Sequence, residues 1–153
     1  MPLITPNEVI GSIQVSKPYL ITTIADPGYL TSASDIFLMV GCKFAYTPIL
    51  STTVEVIITA NTANDTVGSG SISQIYYGTG IPPNKNSNLT GITGFPAGTI
   101  FRTGNGGTLI EHLTCQAIVP VTIGITYWFD LGSKALTSGN NTYSNVYMVI
   151  KEF

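Results

Sequence analysis

The sequence predicts an all-β fold, an antiparallel two-sheet sandwich or jelly roll of about eight to ten strands. Two observations predict this fold. Val, Ile and Thr are abundant, and 16 glycines and 9 prolines interrupt the 153-residue chain, a mixture typical of short strands joined by tight turns. In addition, no window of about twelve residues shows helical spacing of apolar side chains while staying free of glycine, proline and dense β-branching.

The predicted strands follow one another between turn signals. Pro18 and the Asp26-Pro27-Gly28 turn bound the second strand, and a polar loop at 61–70 and a long Gly/Pro/Asn connection after Tyr77 separate those in the middle. The predicted strands are 9–15, 19–25, 35–46, 53–60, 71–77, 98–103, 108–119, 124–131 and 144–153.

The last predicted strand is apolar on both faces. By strand alternation, one face carries Val146, Met148 and Ile150, and the other carries Tyr147, Val149 and Phe153. A strand covered on one side only would alternate apolar with polar residues. We therefore expect one face to pack on the opposing sheet and the other on a neighbouring subunit. A central strand beneath a long covering loop of the same chain is the alternative.

The predicted strand at 35–46 shows the same property. Ile36, Leu38 and Val40 fall on one face, while Phe37 and Met39 fall on the other. Phe37 and Met39 are therefore further candidates for a contact between subunits.

Length and charge exclude several classes of protein. The length fits a single domain, predicted at 9–153 after an N-terminal arm at 1–8. Only 9% of the residues are charged, 44% are hydrophobic and the net charge is −2, which argues against a disordered chain and against a nucleic-acid binder. No apolar run reaches the roughly 18 residues of a membrane-spanning helix, and the N-terminus does not resemble a secretory signal, so we expect synthesis in the cytoplasm and no membrane partner.

The sequence shows no recognisable catalytic or metal-binding motif. Glu111 and His112 are adjacent, so in a strand their side chains point to opposite faces and cannot form a catalytic pair. Cys42 and Cys115 lie in apolar segments and are predicted to be buried free thiols. The polar stretch 61–65 offers one carboxylate and is predicted to be a turn rather than a calcium site. We therefore predict no enzyme activity, no metal site and no cofactor.

Two segments carry a family resemblance. They are Ile-Tyr-Tyr-Gly-Thr-Gly-Ile-Pro-Pro-Asn at 75–84, continuing to 94, and Val-Pro-Val-Thr-Ile-Gly-Ile-Thr-Tyr-Trp-Phe-Asp-Leu at 119–131, followed by the closing Ile-Lys-Glu-Phe at 150–153. This pattern resembles phage and bacterial β-sandwich domains, similar to the trimeric heads of the tumour-necrosis-factor and C1q type. The resemblance covers about the C-terminal half and implies a homotrimeric jelly-roll module of the virion.

The chain has neither the Gly-X-Y repeats nor the heptad stalk of a fibre, so we predict a capsid-decoration, or cement, protein of a tailed bacteriophage. Such a trimer would lie on the capsid surface, bind the major capsid protein and stabilise the shell, after synthesis in the host cytoplasm. The trimer-interface candidates are Tyr147, Val149, Phe153, Phe37 and Met39. The candidate residues of a shell-binding arm are Leu3, Ile4, Thr5 and Asn7.

Two alternative functions stay open. A fibre or spike head would bind a host-surface glycan through the loop at 82–95, with Tyr77, Asn84, Asn88 and Phe95 as candidate contacts. A carbohydrate-binding module or a small jelly-roll enzyme is the second alternative, with Tyr76, Tyr77 and the aromatic run at 127–129 as a sugar-stacking platform. In a β-sandwich such aromatic side chains are more often core or interface residues.

Overall fold

The computed structural model describes residues 19–30, 35–89, 94–104, 107 and 109–153. Within these residues every regular element is a strand. No helix in this part of the chain is long and apolar enough to cross a membrane. The strands are β1 (Tyr19–Ile24), β2 (Gly28–Leu30), β3 (Leu38–Met39), β4 (Phe44–Tyr46), β5 (Thr53–Asn64), β6 (Ser71–Thr79), β7 (Phe95–Arg102), β8 (Glu111–Pro120), β9 (Tyr127–Ala135) and β10 (Asn141–Glu152).

The strands form two sheets of five strands each. The first sheet has the order β1-β10-β5-β8, with β2 also paired to β10. The second sheet has the order β3-β9-β6-β7, with β4 also paired to β9. Each of these strand pairs is antiparallel. The prediction of an all-β, antiparallel two-sheet sandwich is therefore confirmed.

The core lies between the sheets and follows the alternation of the sequence. In β5 and β8 every second side chain is buried, as with Val56 and Ile58 on β5 and Leu113 on β8. Phe129 and Leu131 of β9 meet them from the second sheet. Each fully buried side chain of this size contributes about 1.5–3 kcal/mol of transfer free energy, so this alternation holds the two sheets together.

The predicted continuous strand at 35–46 is wrong, because Gly41 interrupts it. Gly41 has a φ of +91°, a backbone conformation that an L side chain rarely adopts. The segment therefore forms two short strands, β3 and β4, which both pair with β9. The predicted alternation itself is confirmed, since Val40 is buried in the main core while Met39 packs in a separate cluster.

Other predicted boundaries also differ from the structure. The turn predicted at 26–28 ends at β2, whose three residues pair with the start of β10. β5 continues to Asn64, so the first four residues of the predicted loop at 61–70 are strand. The predicted strand at 9–15 and the arm at 1–8 lie outside the described residues. For each of β6 to β10, at least one end of the strand lies one to four residues from its predicted position.

A long connection covers part of the outer face of the second sheet. It follows β6 and runs beside β3, where Met39 N–H donates to Ser87 O (3.0 Å) and Leu89 N–H donates to Phe37 O (3.0 Å). Leu89 and Phe37 then pack against a small cluster of Met39, Tyr76 and Trp128. The predicted aromatic platform is therefore largely buried: Trp128 is 2% exposed, and its indole N–H donates to Thr79 O (3.3 Å).

Candidate functional site

Large apolar side chains are exposed at one end of the sandwich, which we call the apolar end. They come from the β4–β5 connection, the β8–β9 connection and the C-terminus. The apolar end consists of Ile49, Leu50, Ile123, Ile125 and Phe153, each between 45% and 61% exposed. Contiguous exposed apolar patches of this kind mark interaction surfaces in folded proteins.

Backbone hydrogen bonds hold the three segments of the apolar end together. Gly124 N–H donates to Pro48 O (2.8 Å), which joins the two connections. Val121 N–H donates to Thr52 O (2.9 Å), and Phe153 N–H donates to Thr53 O (3.4 Å). The exposed side chains are therefore presented by a fixed backbone.

A buried carboxylate organises the apolar end from within. Glu152 is 0% exposed, and its Oε1 accepts hydrogen bonds from Ile49 N–H (2.9 Å) and the Tyr46 hydroxyl (2.8 Å). Its Oε2 accepts from Leu50 N–H and Ser51 N–H, both at 2.6 Å. Burial alone would raise the pKa of Glu152, but these four donors outweigh it and hold the pKa below its ordinary value of 4.5.

Glu152 also shows how the sequence leads to this arrangement. Val146, Met148 and Ile150 point into the core, and alternation places Glu152 on the same side. A carboxylate at an inward position must find hydrogen-bond donors. The adjacent connection supplies three backbone N–H groups, which leaves the Ile49 and Leu50 side chains pointing outward.

The outer face of the first sheet carries further apolar side chains near the apolar end. Ile118 of β8 is 65% exposed, while Ile57 of β5 and Val149 of β10 are partly exposed and lie directly opposite each other across the β5–β10 pair. We call Ile57, Ile118 and Val149 the adjoining face. Glu55 and Lys151 face each other across the same pair, between this face and the apolar end, and the Lys151 ammonium lies 5.2 Å from the centre of the Phe153 ring.

The structure separates the predicted trimer-interface residues into two groups. Val149, Phe153 and Tyr147 lie on the outer side of the first sheet and are partly or clearly exposed. Phe37 and Met39 lie on the second sheet, where Met39 is 0% exposed beneath the connection that follows β6. Because its side chain is enclosed by its own chain, Met39 offers no surface to a second subunit and is dropped from the set.

The candidate residues for the receptor loop and for the shell-binding arm do not form one site in the described structure. Asn84 and Asn88 are exposed and Phe95 is 65% exposed, whereas the Tyr77 ring is half-buried and stacks on Phe129 with 6.2 Å between ring centres. Leu3, Ile4, Thr5 and Asn7 lie outside the described residues. β1 begins at Tyr19, which pairs with Lys151, so the described chain starts beside the apolar end.

Asp130 is a buried carboxylate that the sequence analysis did not single out. It is 0% exposed and accepts hydrogen bonds from Gly41 N–H (3.2 Å), Cys42 N–H (2.9 Å) and Leu131 N–H (2.7 Å), and from the Cys42 thiol. The hydrogen-bond donors act to lower the pKa of Asp130, but burial outweighs them and raises it to about 6. A single acid within an otherwise apolar strand is the sequence signal that could have identified it.

The described residues contain no arrangement that indicates chemistry. Cys42 and Cys115 are free and buried, as predicted, and burial raises the pKa of both thiols, which keeps them protonated and unreactive. No group of three or more His, Cys, Asp or Glu side chains in the described chain could hold a metal ion. His112 is exposed on the outer face of the first sheet.

Comparisons with known proteins identify the fold. No protein-family model matches the chain, and no curated protein matches it. The structure of infectious bursal disease virus, Gx strain, aligns with a TM-score of 0.56 and 11% identity, over 90% of this chain and 32% of that chain. The T13 particle of the same virus aligns with a TM-score of 0.56 and 13% identity, over 99% of this chain and 35% of that chain.

This chain therefore spans about a third of the virus-particle proteins that it matches. A sugar-binding protein, the EclA C-terminal domain, aligns with a lower TM-score of 0.42 and 10% identity, over 94% of this chain and 86% of that chain. The chain thus has a β-sandwich fold that is also found in a viral capsid protein. The phage origin and the tumour-necrosis-factor or C1q kinship stay predictions.

Proposed function

We propose that the chain is a virion structural protein, a homotrimeric capsid-decoration protein of a tailed phage that acts without chemistry. The observation that supports this proposal is the set of exposed apolar side chains on the apolar end and the adjoining face, which flank the opposite charges of Glu55 and Lys151. A chain that carries so few charged residues gains solubility by burying such a surface in an assembly. The viral-capsid fold is compatible with that role.

The two parts of this surface suit two different contacts. The adjoining face, together with Phe153, lies on a regular sheet and makes the contact among three copies, with Tyr147 at its margin. The rest of the apolar end lies on connections beyond the strands and makes the contact with the major capsid protein, through Ile49, Leu50, Ile123 and Ile125. A closed threefold assembly uses the same sheet face of every copy and leaves the three apolar ends free for the shell.

The first described strand fits this orientation, because β1 begins beside Lys151, near the apolar end. The proposal keeps residues 1–8 as the shell-binding arm. The mechanism is mechanical: each trimer bridges neighbouring capsid subunits, adds buried interface and raises the free energy needed to separate them.

Binding to shells of the virus that encodes the chain tests the decoration role. We expect stoichiometric binding of the wild-type protein, and loss of binding in the double variant Ile49→Lys/Ile125→Lys, which places two charges in the apolar end. Val67→Lys is the matched control, because Val67 is 85% exposed in the β5–β6 connection at the opposite end. Failure of the wild-type trimer to bind these shells would contradict the proposal.

A fibre or spike head that binds a host-surface receptor is the second candidate. One observation favours it: Asn84 and Asn88 are exposed along the connection between β6 and β7, and Phe95 is exposed at the start of β7. A receptor-binding head would retain affinity for host cells as an isolated trimer, and Phe95→Ala would reduce that affinity. A decoration protein would show no such affinity.

A further inference from the structure

The other half of the first sheet's outer face contains an open groove. It lies beyond the adjoining face, away from the apolar end, and has a volume of about 500 Å³. Small-ligand sites in proteins measure about 300–1,000 Å³, so the groove has room for one. Besides Ala60 and Leu113, the residues that line it are polar or aromatic: Thr59, Asn61, His112, Thr114, Asn145 and Tyr147.

A β-bulge in β10 creates the groove. Ser144 pairs with Asn61, but the next pair is Tyr147 with Thr59, so β10 holds one extra residue at this point. Asn145 takes up the bulge with a φ of +49°, and its N–H donates to the Asp26 carboxylate (2.6 Å). Because a residue of the β1–β2 turn fixes the bulge, the groove is a built feature of the sheet.

The polar side chains in the groove are not used by the fold. Among the described residues, Thr59, Asn61, His112, Thr114 and Tyr147 make no side-chain hydrogen bond within the chain. On the same face, by contrast, Gln116 hydrogen-bonds to Glu55. The groove therefore offers hydroxyl, amide and imidazole groups to a ligand.

The groove continues into two smaller depressions. One, of about 170 Å³, shares Asn61 and extends towards Thr142 and Ser144. The other, of about 280 Å³, shares His112 and extends towards Arg102 and Thr103. The polar half of the sheet thus forms an elongated surface, which suits a ligand longer than a single ring.

We propose that this groove binds a neutral oligosaccharide. The main groove is lined by no acid, lysine or arginine, and the depression beyond His112 adds one charge of each sign, from Arg102 and Glu111, so the site as a whole favours no phosphate, metal ion or charged peptide. Neutral hydroxyl groups of a sugar match the free amide and hydroxyl groups of the groove. Tyr147, 47% exposed, offers an aromatic face at the rim for the apolar side of a pyranose ring.

This site adjoins the proposed trimer contact and shares with it only Tyr147, which lies at the margin of that contact. Asn61, His112 and Thr114 lie further along their strands than Ile57 and Ile118, so a contact through the adjoining face leaves the groove open on that side. The site also differs from the receptor loop at 82–95, which belongs to the second sheet.

Saturation-transfer NMR with chitotriose, N-acetyllactosamine and maltotriose tests the proposal, with sialyllactose as an acidic comparison. We expect weak, saturable binding of at least one neutral probe. Tyr147→Ala and Asn61→Ala should each weaken it by about tenfold or more, while Gln116→Ala, on the same face but outside the groove, should leave it unchanged. The oligomeric mass of each variant is measured in parallel.

Each outcome is decisive. Binding that is lost in Tyr147→Ala and Asn61→Ala but kept in Gln116→Ala would support the groove. The absence of binding to all three neutral probes, binding that is equal in all variants, or binding of sialyllactose alone would overturn it. A monomeric wild-type protein that still binds the neutral probe would contradict the decoration proposal alone.

Discussion

The two ends of the sandwich fix their connections in different ways. At the apolar end one buried carboxylate, Glu152, accepts three backbone N–H groups and a tyrosine hydroxyl. At the opposite end, which we call the asparagine end, side chains pair with one another. There Asn64 Nδ2 donates to Asn141 Oδ1 (2.8 Å) and Ser138 O (3.1 Å), and Asp65 accepts from Asn140 N–H (2.8 Å).

This difference determines how many polar side chains the connections of each end must carry. At the asparagine end, Asp65, Ser69 and Asn140 on the connections join Asn64 and Asn141 at the strand ends, although Val67, Leu109 and Ile110 are also exposed there. At the apolar end one inward side chain of β10 orders the β4–β5 connection, so that connection is free to expose Ile49 and Leu50. A single inward carboxylate thus allows an interaction surface to be both rigid and apolar.

Removal of Glu152 should have the largest effect on stability. Glu152→Ala leaves the N–H groups of Ile49, Leu50 and Ser51 without their acceptor, and each lost partner costs about 1–3 kcal/mol. We expect a loss of about 4 kcal/mol in the free energy of unfolding, measured by urea denaturation. Glu111→Ala, a partly exposed glutamate of β8, is the control and should change stability little; equal losses in both variants would contradict the role of Glu152.

Asp130 and Glu152 should respond to pH in opposite directions. The pKa of Asp130 is raised by burial from 3.8 to about 6, so the folded state binds its proton more tightly and stability falls as the pH rises through that interval, by up to about 3 kcal/mol. Glu152 has a lowered pKa, so its contribution is present above 4.5 and is lost as the pH falls below it. Asp130→Asn should remove the first slope in pH-dependent denaturation; an unchanged slope would contradict the assignment.

Loss of the central amide of the asparagine end should have an intermediate effect. Asn141 is 0% exposed, accepts from Asn64, and donates to Ser133 Oγ (2.9 Å) and Lys134 O (3.0 Å). Asn141→Ala should reduce the free energy of unfolding by about 2 kcal/mol. Asn84→Ala, on an exposed connection, is its control, and an Asn141→Ala protein as stable as the wild type would show that this network does not order its end.

Polar substitutions at the apolar end should have the smallest effect on stability. Ile49 and Ile125 are exposed, so Ile49→Ser/Ile125→Ser should change the free energy of unfolding by only about 0.5 kcal/mol. A loss of several kcal/mol in thermal denaturation would mean that these side chains support the fold, and it would remove the contrast between the two ends.

The sequence predicts the fold well where one side of a strand is buried. The alternation in β5, β8 and β10 identifies Val56, Leu113 and Met148 as core residues, because burial imposes a period of two. The split at Gly41 depends on a local backbone conformation, and β2 depends on pairing with β10 more than a hundred residues away. Neither leaves a periodic signal in the sequence.

The candidate surface is predictable only in part. The outward face of the last strand, with Val149 and Phe153, follows from alternation. The apolar end does not, since Ile49 and Ile123 belong to connections far apart in sequence that meet only in the folded chain. The burial of Met39 could not be predicted from the sequence either. The connection after β6 covers Met39, and the sequence of that connection shows no pattern that predicts its path.

Multi-angle light scattering of the purified chain tests whether three copies assemble through the adjoining face, with Ile118→Lys as the interface variant and Val67→Lys as the control. We expect a mass of about three times 16.2 kDa for the wild type and for Val67→Lys, and a shift towards the single-chain mass for Ile118→Lys. A wild-type mass of 16.2 kDa, or a trimer that Ile118→Lys leaves intact, would contradict assembly through the adjoining face.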